Sequence, residues 1–333
     1  MSAPTLARRP VSRTLAAALL IAAALAGCKT PPPEAPEPDP VALDEAEPQP
    51  ATPDPEDAPA GPETIRVATF NVALFFDTRC DSGDCGEGYW EQLPTVEQFE
   101  ARANILARAI ERLDADVVLL QEVETEESLL ALQSRLADRY PVAVLGETGG
   151  TASIDVAVLS GGRKRRVVTH RFKRLPRPNG GGTTTFAREF LEVQLAFGDK
   201  EIVVFSAHFK SKNNDDPDRR LAEAQGALKI VLEAVEREPD ALVVLGGDLN
   251  DVPGSAPLNA LEDGGLLLRA ASDVSLERAW TYNFRGQLNE LDHLYMAVGT
   301  GSYVPDSANA FRDGDRGLGG SDHGAMTAEF KFP

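Results

Sequence analysis

The sequence predicts an α/β domain with mixed β-sheets over residues 64–333. Three observations indicate this fold class. Apolar runs of strand length alternate with amphipathic segments of helical period in the first half, hairpin-like strand neighbours occur in the middle, and polar side chains stand at the strand ends. The segment of 270 residues is long enough to form one large domain with a full hydrophobic core.

Eight apolar runs predict the strands, and three segments between them predict helices. The strands are expected at residues 64–71, 116–121, 153–159, 188–197, 201–208, 241–246, 291–298 and 326–332. The first helix begins with a capping box from Thr95 to Gln98, the second covers roughly 126–139, and the third covers roughly 217–237, where Pro217 suits a first turn.

The spacing of apolar residues predicts the buried face of two of these helices. In the first helix the apolar positions are Phe99, Ile105, Leu106, Ile110 and Leu113. In the third they are Leu221, Leu228, Val231, Leu232 and Val235. Because each set recurs at helical spacing on one side, we expect it to pack against a sheet.

Polar side chains close or open most of the predicted strands. The run ALVVLGGDLN at 241–250 suits a buried strand, yet it ends in Asp248 and Asn250. Turn chemistry alone explains one such ending, but the pattern recurs. The other polar residues at strand ends are Asn71, Gln121, Glu122, His208, Asp292, His293, Ser321, Asp322 and His323.

These groups meet at one edge only if the last two strands run opposite to the earlier ones. The polar residues of the last two strands precede their apolar runs, whereas those of the earlier strands follow them. The sequence therefore predicts mixed sheets and argues against an all-parallel doubly wound fold, whose sites gather outside the carboxyl ends of the strands.

Such a gathering of acidic and imidazole groups predicts hydrolysis of a phosphate ester. Several carboxylates in one place repel each other unless a cation or retained protons separate them. Oxygen ligands of this kind select magnesium, manganese or calcium, and the sequence has no closely spaced Cys and His set for zinc. The histidines remain available for proton transfer or for binding an oxyanion.

The ordered motifs NV, LLQE, SAHFKSK, GGDLND, LDH and SDH resemble the endonuclease/exonuclease/phosphatase superfamily, also called the DNase I-like fold. The resemblance spans nearly all of 64–333, and His208–Lys212, Arg220 and Ala224–Gln225 are most similar to the predicted extracellular nucleases of that superfamily. It implies a four-layer αββα sandwich of two mixed β-sheets with helices outside.

The resemblance also implies roles for the oxygen-bearing residues. Glu122 would be the principal metal ligand, with Asn71 and Asp322 near the same ion, which would be Mg²⁺, with Mn²⁺ or Ca²⁺ as alternatives. Asp248 would orient or deprotonate the attacking water, and Asn250 would hold Asp248 or a phosphate oxygen. The structural alternatives are a solvated charge for Glu122 and turn chemistry for Asn71, Asp248 and Asn250.

The histidines divide into expected catalytic and structural ones. His323, oriented by Asp292, would stabilise developing charge or shuttle a proton, and His208 would contact phosphate or protonate the leaving oxygen. Position favours a structural role for His293, and His170 lies among basic residues with no catalytic signal. The expected reaction is a one-step, in-line attack of water on phosphorus without a covalent enzyme intermediate.

Substrate binding is less strongly predicted than catalysis. Lys210, Lys212 and Arg188 lie near the site in sequence and are the expected phosphate-binding groups. A basic run from Arg163 to Arg177 suits either a nucleic-acid backbone or a solvated hairpin face. We expect a nucleic-acid substrate, with a phospholipid or small phosphoester as the alternative and a non-catalytic binding lipoprotein as a third interpretation.

The amino-terminal residues predict export and anchoring. Residues 1–28 combine arginines, a short apolar stretch and the sequence LAGC, which resembles the bacterial lipobox and implies lipidation of Cys28; an ordinary cysteine after a signal peptide is the alternative. Residues 29–63 hold 12 of the 24 prolines and ten acidic residues, which predicts a disordered tether. The domain would then lie at the bacterial cell envelope, on the outer membrane or cell surface, through a membrane anchor.

Charge and cysteine content add two expectations. Of the net charge of −19, residues 64–333 carry −13, so a phosphate-bearing substrate must be attracted by local basic groups or bound cations. Cys80 and Cys85 are predicted to form a disulfide in an exported protein. The three aspartates of the same segment leave a calcium loop as the alternative.

Overall fold

The computed structural model describes residues 59–333, so Cys28, segment 1–28 and most of segment 29–63 lie outside the described residues. Residues 59–63, predicted as the end of the tether, already contact the domain, since the backbone N–H of Gly61 donates to Asp199 Oδ1 at 2.5 Å. Within 59–333, no helix combines the length and apolarity that a membrane span requires.

The described part of the chain contains seventeen strands and five α-helices. The strands are β1 (Thr64–Phe75), β2 (Val117–Val123), β3 (Val142–Gly146), β4 (Asp155–Ser160), β5 (Arg163–Thr169), β6 (Leu175–Pro176), β7 (Thr183–Thr184), β8 (Leu191–Phe197), β9 (Lys200–His208), β10 (Leu242–Asp248), β11 (Leu267–Arg269), β12 (Tyr282–Phe284), β13 (Gln287–Asn289), β14 (Asp292–Ala297), β15 (Ser302–Tyr303), β16 (Asn309–Phe311) and β17 (Ala325–Lys331). The helices are α1 (Val96–Leu113), α2 (Glu126–Gln133), α3 (Pro217–Arg237), α4 (Ala256–Glu262) and α5 (Leu276–Ala279).

Two large mixed sheets contain most of these strands. One has the order β15-β17-β1-β2-β4-β3, with β16 also paired to β17, and the other has the order β11-β14-β10-β9-β8-β5. In the first sheet β1 is parallel to β2 and antiparallel to β17; in the second β10 is parallel to β9 and antiparallel to β14. The predicted reversal of the last two strands is therefore confirmed.

The two sheets pack face to face, with helices on their outer surfaces. The apolar residues between the sheets include Val67, Leu119, Val204 and Val244, all of them fully buried. Helices α1 and α2 cover the outer face of the first sheet, and α3 and α4 cover that of the second. The predicted four-layer αββα sandwich is confirmed.

All three predicted helices are present, but some of their predicted bounds and buried residues are wrong. The capping box of Thr95 and Gln98 is present at the start of α1, but Ile105 is 40% exposed. Helix α2 ends at Gln133, short of the predicted 139. The bounds of α3 match the prediction. Of its predicted apolar face, Val231 is fully buried, whereas Leu221, Leu228, Leu232 and Val235 are only partly buried.

Four of the eight buried residues of α3 are alanines. Ala224, Ala227 and Ala234 are fully buried, whereas Leu228 and Val235 are only partly buried at the margin of the same cluster. Small side chains let a helix approach a sheet closely, so Leu228 and Val235 lie beside the contact. The spacing of the larger apolar residues did not indicate that alanines face the sheet.

Candidate active site

The polar residues at the strand ends lie on the same side of each strand as the apolar residues that pack between the two sheets. Along β10, Leu242 and Val244 are in the central core, and Gly246 and Asp248 follow on the same side because side chains alternate with a period of two. In the same way β9 ends in His208. The apolar core between the sheets therefore becomes a polar site at one end.

Strand register aligns three of the predicted catalytic residues. Asp248 pairs with His208 on the parallel neighbour β9 and with Asp292 on the antiparallel neighbour β14. His293 points to the opposite face, where its Nδ1 contacts Glu290 Oε1 at 3.1 Å and its Nε2 contacts the backbone O of Asp251 at 2.9 Å. These contacts are the structural role predicted for His293.

Gly247 lets β9 and β10 approach closely next to the site. A Cβ at this position would lie 1.9 Å from the carbonyl oxygen of Ala207, a backbone atom that cannot move independently. Glycine is therefore required immediately before Asp248, since any side chain would push the two strands apart.

Glu122 occupies a β-bulge, which turns it into the site. The register between β2 and β4 shifts between Gln121 and Val123, and Glu122 has a φ of 66°. Its neighbour Gln121 stays in the sheet interior. The bulge thus breaks the alternation that would otherwise place Glu122 on the outer face.

Irregular backbone at the end of β1 holds this carboxylate. The backbone N–H of Leu74 donates to Glu122 Oε2 at 2.9 Å, and that of Ala73 donates to Asn71 Oδ1 at 3.0 Å. Ala73 and Leu74 have φ values of 54° and 49°, in the left-handed region. The strained backbone therefore positions Glu122 and Asn71 together.

Asn71 joins the two sheets across the site. Its Nδ2 donates to Glu122 Oε1 and to Asp248 Oδ2, each at 3.1 Å. In this arrangement the amide nitrogen orients two carboxylates, and only the second lone pair of Oδ1 is available to an ion. Its role as a metal ligand stays a prediction, while its role as a bridge is a feature of the structure.

His323 is fixed by a carboxylate, a hydroxyl and an aromatic ring. Its Nδ1 contacts Asp292 Oδ2 at 2.8 Å, and its backbone N–H donates to Ser321 Oγ at 3.0 Å. The ring of Tyr282 lies 4.9 Å from its ring, centroid to centroid. The pairing of His323 with Asp292 that the sequence predicted is present.

Asp248 lies at the centre of the site. Its Oδ2 is 3.6 Å from His208 Nε2 and 3.9 Å from His323 Nε2, and its Oδ1 accepts the backbone N–H of Asn250 at 2.9 Å. Asn250 also donates from Nδ2 to the carbonyl of Phe209 at 3.2 Å. One carboxylate is thus within reach of both histidines and is held by Asn250, as predicted.

The two histidines have opposite protonation preferences. Burial opposes the charged form of His323, but Asp292, Asp248 and Asp322 outweigh it and raise the pKa of His323 to about 10. The pKa of His208 lies well below its usual range because of burial, with Arg188 and His323 adding repulsion. At neutral pH, His323 is therefore an imidazolium and His208 is neutral.

These groups open onto a cleft of about 470 Å³. Glu122, Asp322, Lys212, Tyr282 and Phe284 line it together with His208, Asp248, Asn250 and His323. Asp322 is exposed and Glu122 is partly buried. A larger groove of about 710 Å³ lies beside it along Ala73–Phe76, but none of these catalytic residues line it.

Arg188 is a partly buried cation next to the site carboxylates. Burial lowers its pKa, and the charges of Glu122, Asp248 and Glu223 act in the opposite direction. Arg188 does not line the cleft itself, but its guanidinium lies within electrostatic reach of the Glu122 and Asp248 carboxylates. Its role in binding a substrate phosphate stays a prediction.

The prediction that Lys210 binds phosphate is not supported by its contacts. Its ammonium donates to the carbonyl oxygens of Ser211 and Asn213, at 2.8 and 2.5 Å, and the residue does not line the cleft. Backbone carbonyls of the loop accept two of its three N–H donors, so Lys210 holds the loop. Lys212 does line the cleft, where its Nζ is 3.2 Å from Asp251 Oδ1.

The pairing of β5, β8 and β9 shows where the start of the basic run from Arg163 to Arg177 lies. Arg163 pairs with Ala196 on β8, and Ala196 pairs with Glu201 near the start of β9. His208 ends the same β9 strand, seven residues beyond Glu201, which corresponds to about 23 Å. The arginines at the start of the run therefore lie far from the site and form a solvated strand face.

The donor set fits a hard divalent cation. Glu122 and Asp322 offer carboxylate oxygens to the cleft, with Asn71 beside Glu122, and none of the described residues that line the cleft is a cysteine. Side-chain atoms of Asp248, Asp292 and His323 also lie within 4.8 Å of each other, but Asp292 Oδ2 and His323 Nδ1 already contact one another. Oxygen ligands of this type bind magnesium, manganese or calcium.

Sequence reasoning missed several residues that support the site. Thr281 Oγ1 accepts the backbone N–H groups of Leu291 and Asp292, each at 3.1 Å, and Arg102 donates to the backbone O of Val72 and of Gly319. Trp280, the residue before Thr281, is buried with the guanidinium of Arg312 over its ring at 4.1 Å.

Comparison with known proteins agrees with this geometry. Residues 68–323 match the model of the Endonuclease/Exonuclease/phosphatase family, whereas curated proteins include no matching sequence. Three solved structures show the fold. They are a truncated TDP2 from Caenorhabditis elegans (19% identity, 80% of this chain and 97% of that chain, TM-score 0.59), an endonuclease/exonuclease/phosphatase from Bacteroides vulgatus (16%, 81% and 99%, 0.58), and TDP2 from D. rerio complexed with single strand DNA product (17%, 81% and 100%, 0.58).

The match covers more than half of the chain and includes every motif that contributes to the cleft. The chain therefore belongs to the Endonuclease/Exonuclease/phosphatase family, the members of which are divalent-metal-dependent phosphoester hydrolases.

Proposed function

We propose that this protein is a metal-dependent phosphodiesterase that cleaves nucleic acid strands. The observation that carries the proposal is the convergence on Asp248: one carboxylate faces a neutral histidine, a charged histidine and the Asn71 bridge to Glu122. These groups suit hydrolysis by a single attack of water, without a nucleophilic side chain.

Each residue has a distinct task in this mechanism. Asp248 accepts a hydrogen bond from the attacking water and orients it, while the His323 imidazolium, held by Asp292, stabilises charge that develops on the phosphate. Neutral His208 contacts the phosphate, and Arg188 and Lys212 hold its oxygens. A cation held by Glu122, with Asp322 and Asn71 near it, supplies charge neutralisation at the phosphate when bound.

An aromatic rim on the cleft supports a nucleic-acid substrate. The β12–β13 hairpin lines the cleft with Tyr282 and Phe284, and Phe284 is 52% exposed with Arg285 over its ring at 5.2 Å. Exposed aromatic rings next to cations are suited to stacking on bases of single strands. The D. rerio TDP2 structure, which contains single strand DNA product, has the same fold.

Variants of Glu122 and His323 test the catalytic proposal. Glu122→Gln and His323→Gln should each lower turnover on an oligonucleotide at least about a hundredfold, because the first weakens binding of the cation and the second removes the imidazolium that stabilises charge on the phosphate. Chelation should abolish turnover, and magnesium or manganese should restore it. The exposed Glu111→Gln in α1 is the matched control and should retain full activity; near-normal turnover by folded Glu122→Gln would exclude the mechanism.

The acidic charge of the domain favours a second candidate, a lipid or small-molecule phosphoesterase. A net charge of −13 over residues 64–333 does not attract long polyanions. The purified chain should be assayed with single-stranded DNA, RNA, sphingomyelin and a phosphate monoester. Cleavage of DNA or RNA supports the first proposal, and release of headgroup or inorganic phosphate without strand cleavage supports the second.

We also propose that the protein is an exported lipoprotein tethered to the cell envelope. The support is the LAGC sequence at Cys28 and the proline-rich acidic stretch that follows. Metabolic labelling with palmitate should mark the wild-type chain in the membrane fraction and should not mark Cys28→Ser. Equal labelling of the variant, or none of either chain, would refute the anchor.

A further inference from the structure

The groove of about 710 Å³ beside the catalytic cleft takes no part in the mechanism proposed above. Its floor consists of Ala73–Phe76 at the end of β1 and of Phe99 from α1. One wall is the segment 86–94, which carries Tyr89 and Leu93, and these two residues are 57% and 44% exposed. An exposed aromatic ring therefore borders a mainly apolar floor.

The groove adjoins the catalytic cleft at two points. Leu74, which lines the groove, donates its backbone N–H at 2.9 Å to Glu122 Oε2, and Glu122 lines the cleft. Gly320 lines both the groove and a smaller pocket that includes Asp322, and Asp322 also lines the cleft. A strand with one phosphate in the cleft can therefore place a neighbouring group in the groove.

The backbone that carries Tyr89 is anchored on both sides in sequence. The predicted disulfide between Cys80 and Cys85 is present, with a Cα–Cα distance of 5.9 Å, and it closes the preceding loop. On the other side, Trp90 Nε1 donates to the backbone O of Ala152 at 3.0 Å. Because this wall is held in place, a ligand that packs against Tyr89 orders little of the protein on binding.

The groove suits a flat aromatic group with polar edges. Among residues 59–333, its lining contains one cation, Arg102, and one carboxylate, Glu87. The Arg102 guanidinium donates to the backbone O of Val72 and of Gly319, at 2.6 and 2.5 Å, so the protein backbone already uses two of its donors. Gln92 adds an exposed amide. A nucleobase has a face that stacks on a ring and edges that bond to an amide, whereas an acyl chain has no polar edges.

We propose that this groove holds a nucleobase of the strand that is being cleaved, with Tyr89 as the residue on which the base stacks. The inference rests on the proposed function and deepens it, because it assigns a nucleotide near the scissile phosphate to a second place on the surface. Stacking on an aromatic ring accepts every base. The groove should therefore favour oligonucleotides over small phosphate esters without imposing a sequence.

Cleavage of an end-labelled single-stranded oligonucleotide tests the stacking position. One abasic site is moved along the strand, and kcat/KM is measured at each mapped bond. In the wild-type protein an abasic site at the groove position should lower kcat/KM about 5- to 150-fold, which corresponds to the loss of one stacked base. Tyr89→Ala should lower cleavage of the unmodified strand by a similar factor, and the abasic site should then cause no further loss. The position silenced by Phe284→Ala should be a different one.

Two variants separate stacking from a general effect on the fold. Tyr89→Phe keeps the ring and should retain the abasic effect, and Val96→Ala, 61% exposed on α1 and outside the groove lining, should cleave the strand as the wild type does. If Tyr89→Ala and every abasic site lower kcat/KM independently, the groove holds no base although the protein is a nuclease. Headgroup release from sphingomyelin that Tyr89→Ala reduces, without strand cleavage by the wild type, would overturn both proposals.

Discussion

Asp248 illustrates how one side chain depends on its neighbours. It is buried, and burial raises its pKa, while the positive charge of His323 acts in the opposite direction. The amide of Asn71 and the backbone of Asn250 also stabilise its ionised form. Burial and the nearby charge of Asp292 raise the pKa of Asp248 only to about 6 against these groups, so at neutral pH its carboxylate remains an acceptor for water.

Asp292→Asn should shift the pH dependence of catalysis. In the free enzyme His323 stays protonated up to a pKa of about 10, with Asp292 the strongest of the charges that raise it. Since the proposed mechanism needs the imidazolium, kcat/KM should fall on the alkaline side, and loss of the Asp292 charge should move that limb down by about 1–3 pH units. The exposed Asp263→Asn should leave it in place. A limb unchanged in Asp292→Asn would disprove the pairing as the cause.

Gly247→Ala should damage both stability and activity. The added Cβ meets a backbone oxygen of β9 at 1.9 Å, so β9 and β10 must separate beside His208 and Asp248. We expect a loss of about 1–3 kcal/mol in the free energy of unfolding, measured by denaturant titration, together with reduced turnover. Gly150→Ala, whose Cβ would have 3.9 Å of clearance, is the control; equal behaviour of the two variants would contradict the clash.

At the level of elements, the site depends on irregular strand ends rather than on regular strands. The bulge at Glu122 and the left-handed backbone of Ala73 and Leu74 bring a carboxylate of the first sheet towards Asp248 of the second. Regular alternation would have directed Glu122 away from the cleft. The opposite directions of β10 and β14 then bring Asp292 to the same edge.

The packing of α3 on its sheet makes a distinct prediction. Ala227 is fully buried where α3 meets the second sheet. Ala227→Leu should therefore overpack this contact and lower the free energy of unfolding by about 1–3 kcal/mol. The same change on the exposed side of α3, Gln225→Leu, should cost less than about 0.5 kcal/mol. Thermal and denaturant unfolding measure both, and equal losses would mean that the helix is rotated from its described position.

For the whole molecule, electrostatics decides how the substrate is attracted. The domain is acidic, and the basic residues at the start of β5 lie at the end of the sheet that is remote from His208. Arg188 and Lys212 are the proposed phosphate contacts near the site. Binding of nucleic acid should therefore use few phosphate contacts and depend on bound cations.

The salt dependence of DNA cleavage tests this distribution. Two phosphate contacts on a single strand predict that log(kcat/KM) falls against log salt with a slope of about −1.4. Arg188→Gln should reduce the slope by about 0.7, whereas the double change Arg163→Gln and Lys164→Gln should leave it unchanged. A slope that depends on the β5 residues instead would show that the basic run follows the nucleic-acid backbone.

The sequence by itself determined the fold class, the strand directions and most of the residues in the cleft. These follow from local patterns, because side-chain alternation and the position of a polar residue before or after an apolar run are properties of neighbouring residues. His208, Asp248, Asp292 and His323 were identified in this way, and the structure brings them together.

Only the tertiary structure revealed the bulge that turns Glu122 into the site and the burial of alanines on α3. It also decided that Lys210 binds the carbonyl groups of its own loop and that His208 and His323 have opposite protonation preferences. Burial and charge coupling depend on groups that are distant in the chain, so no local pattern encodes them.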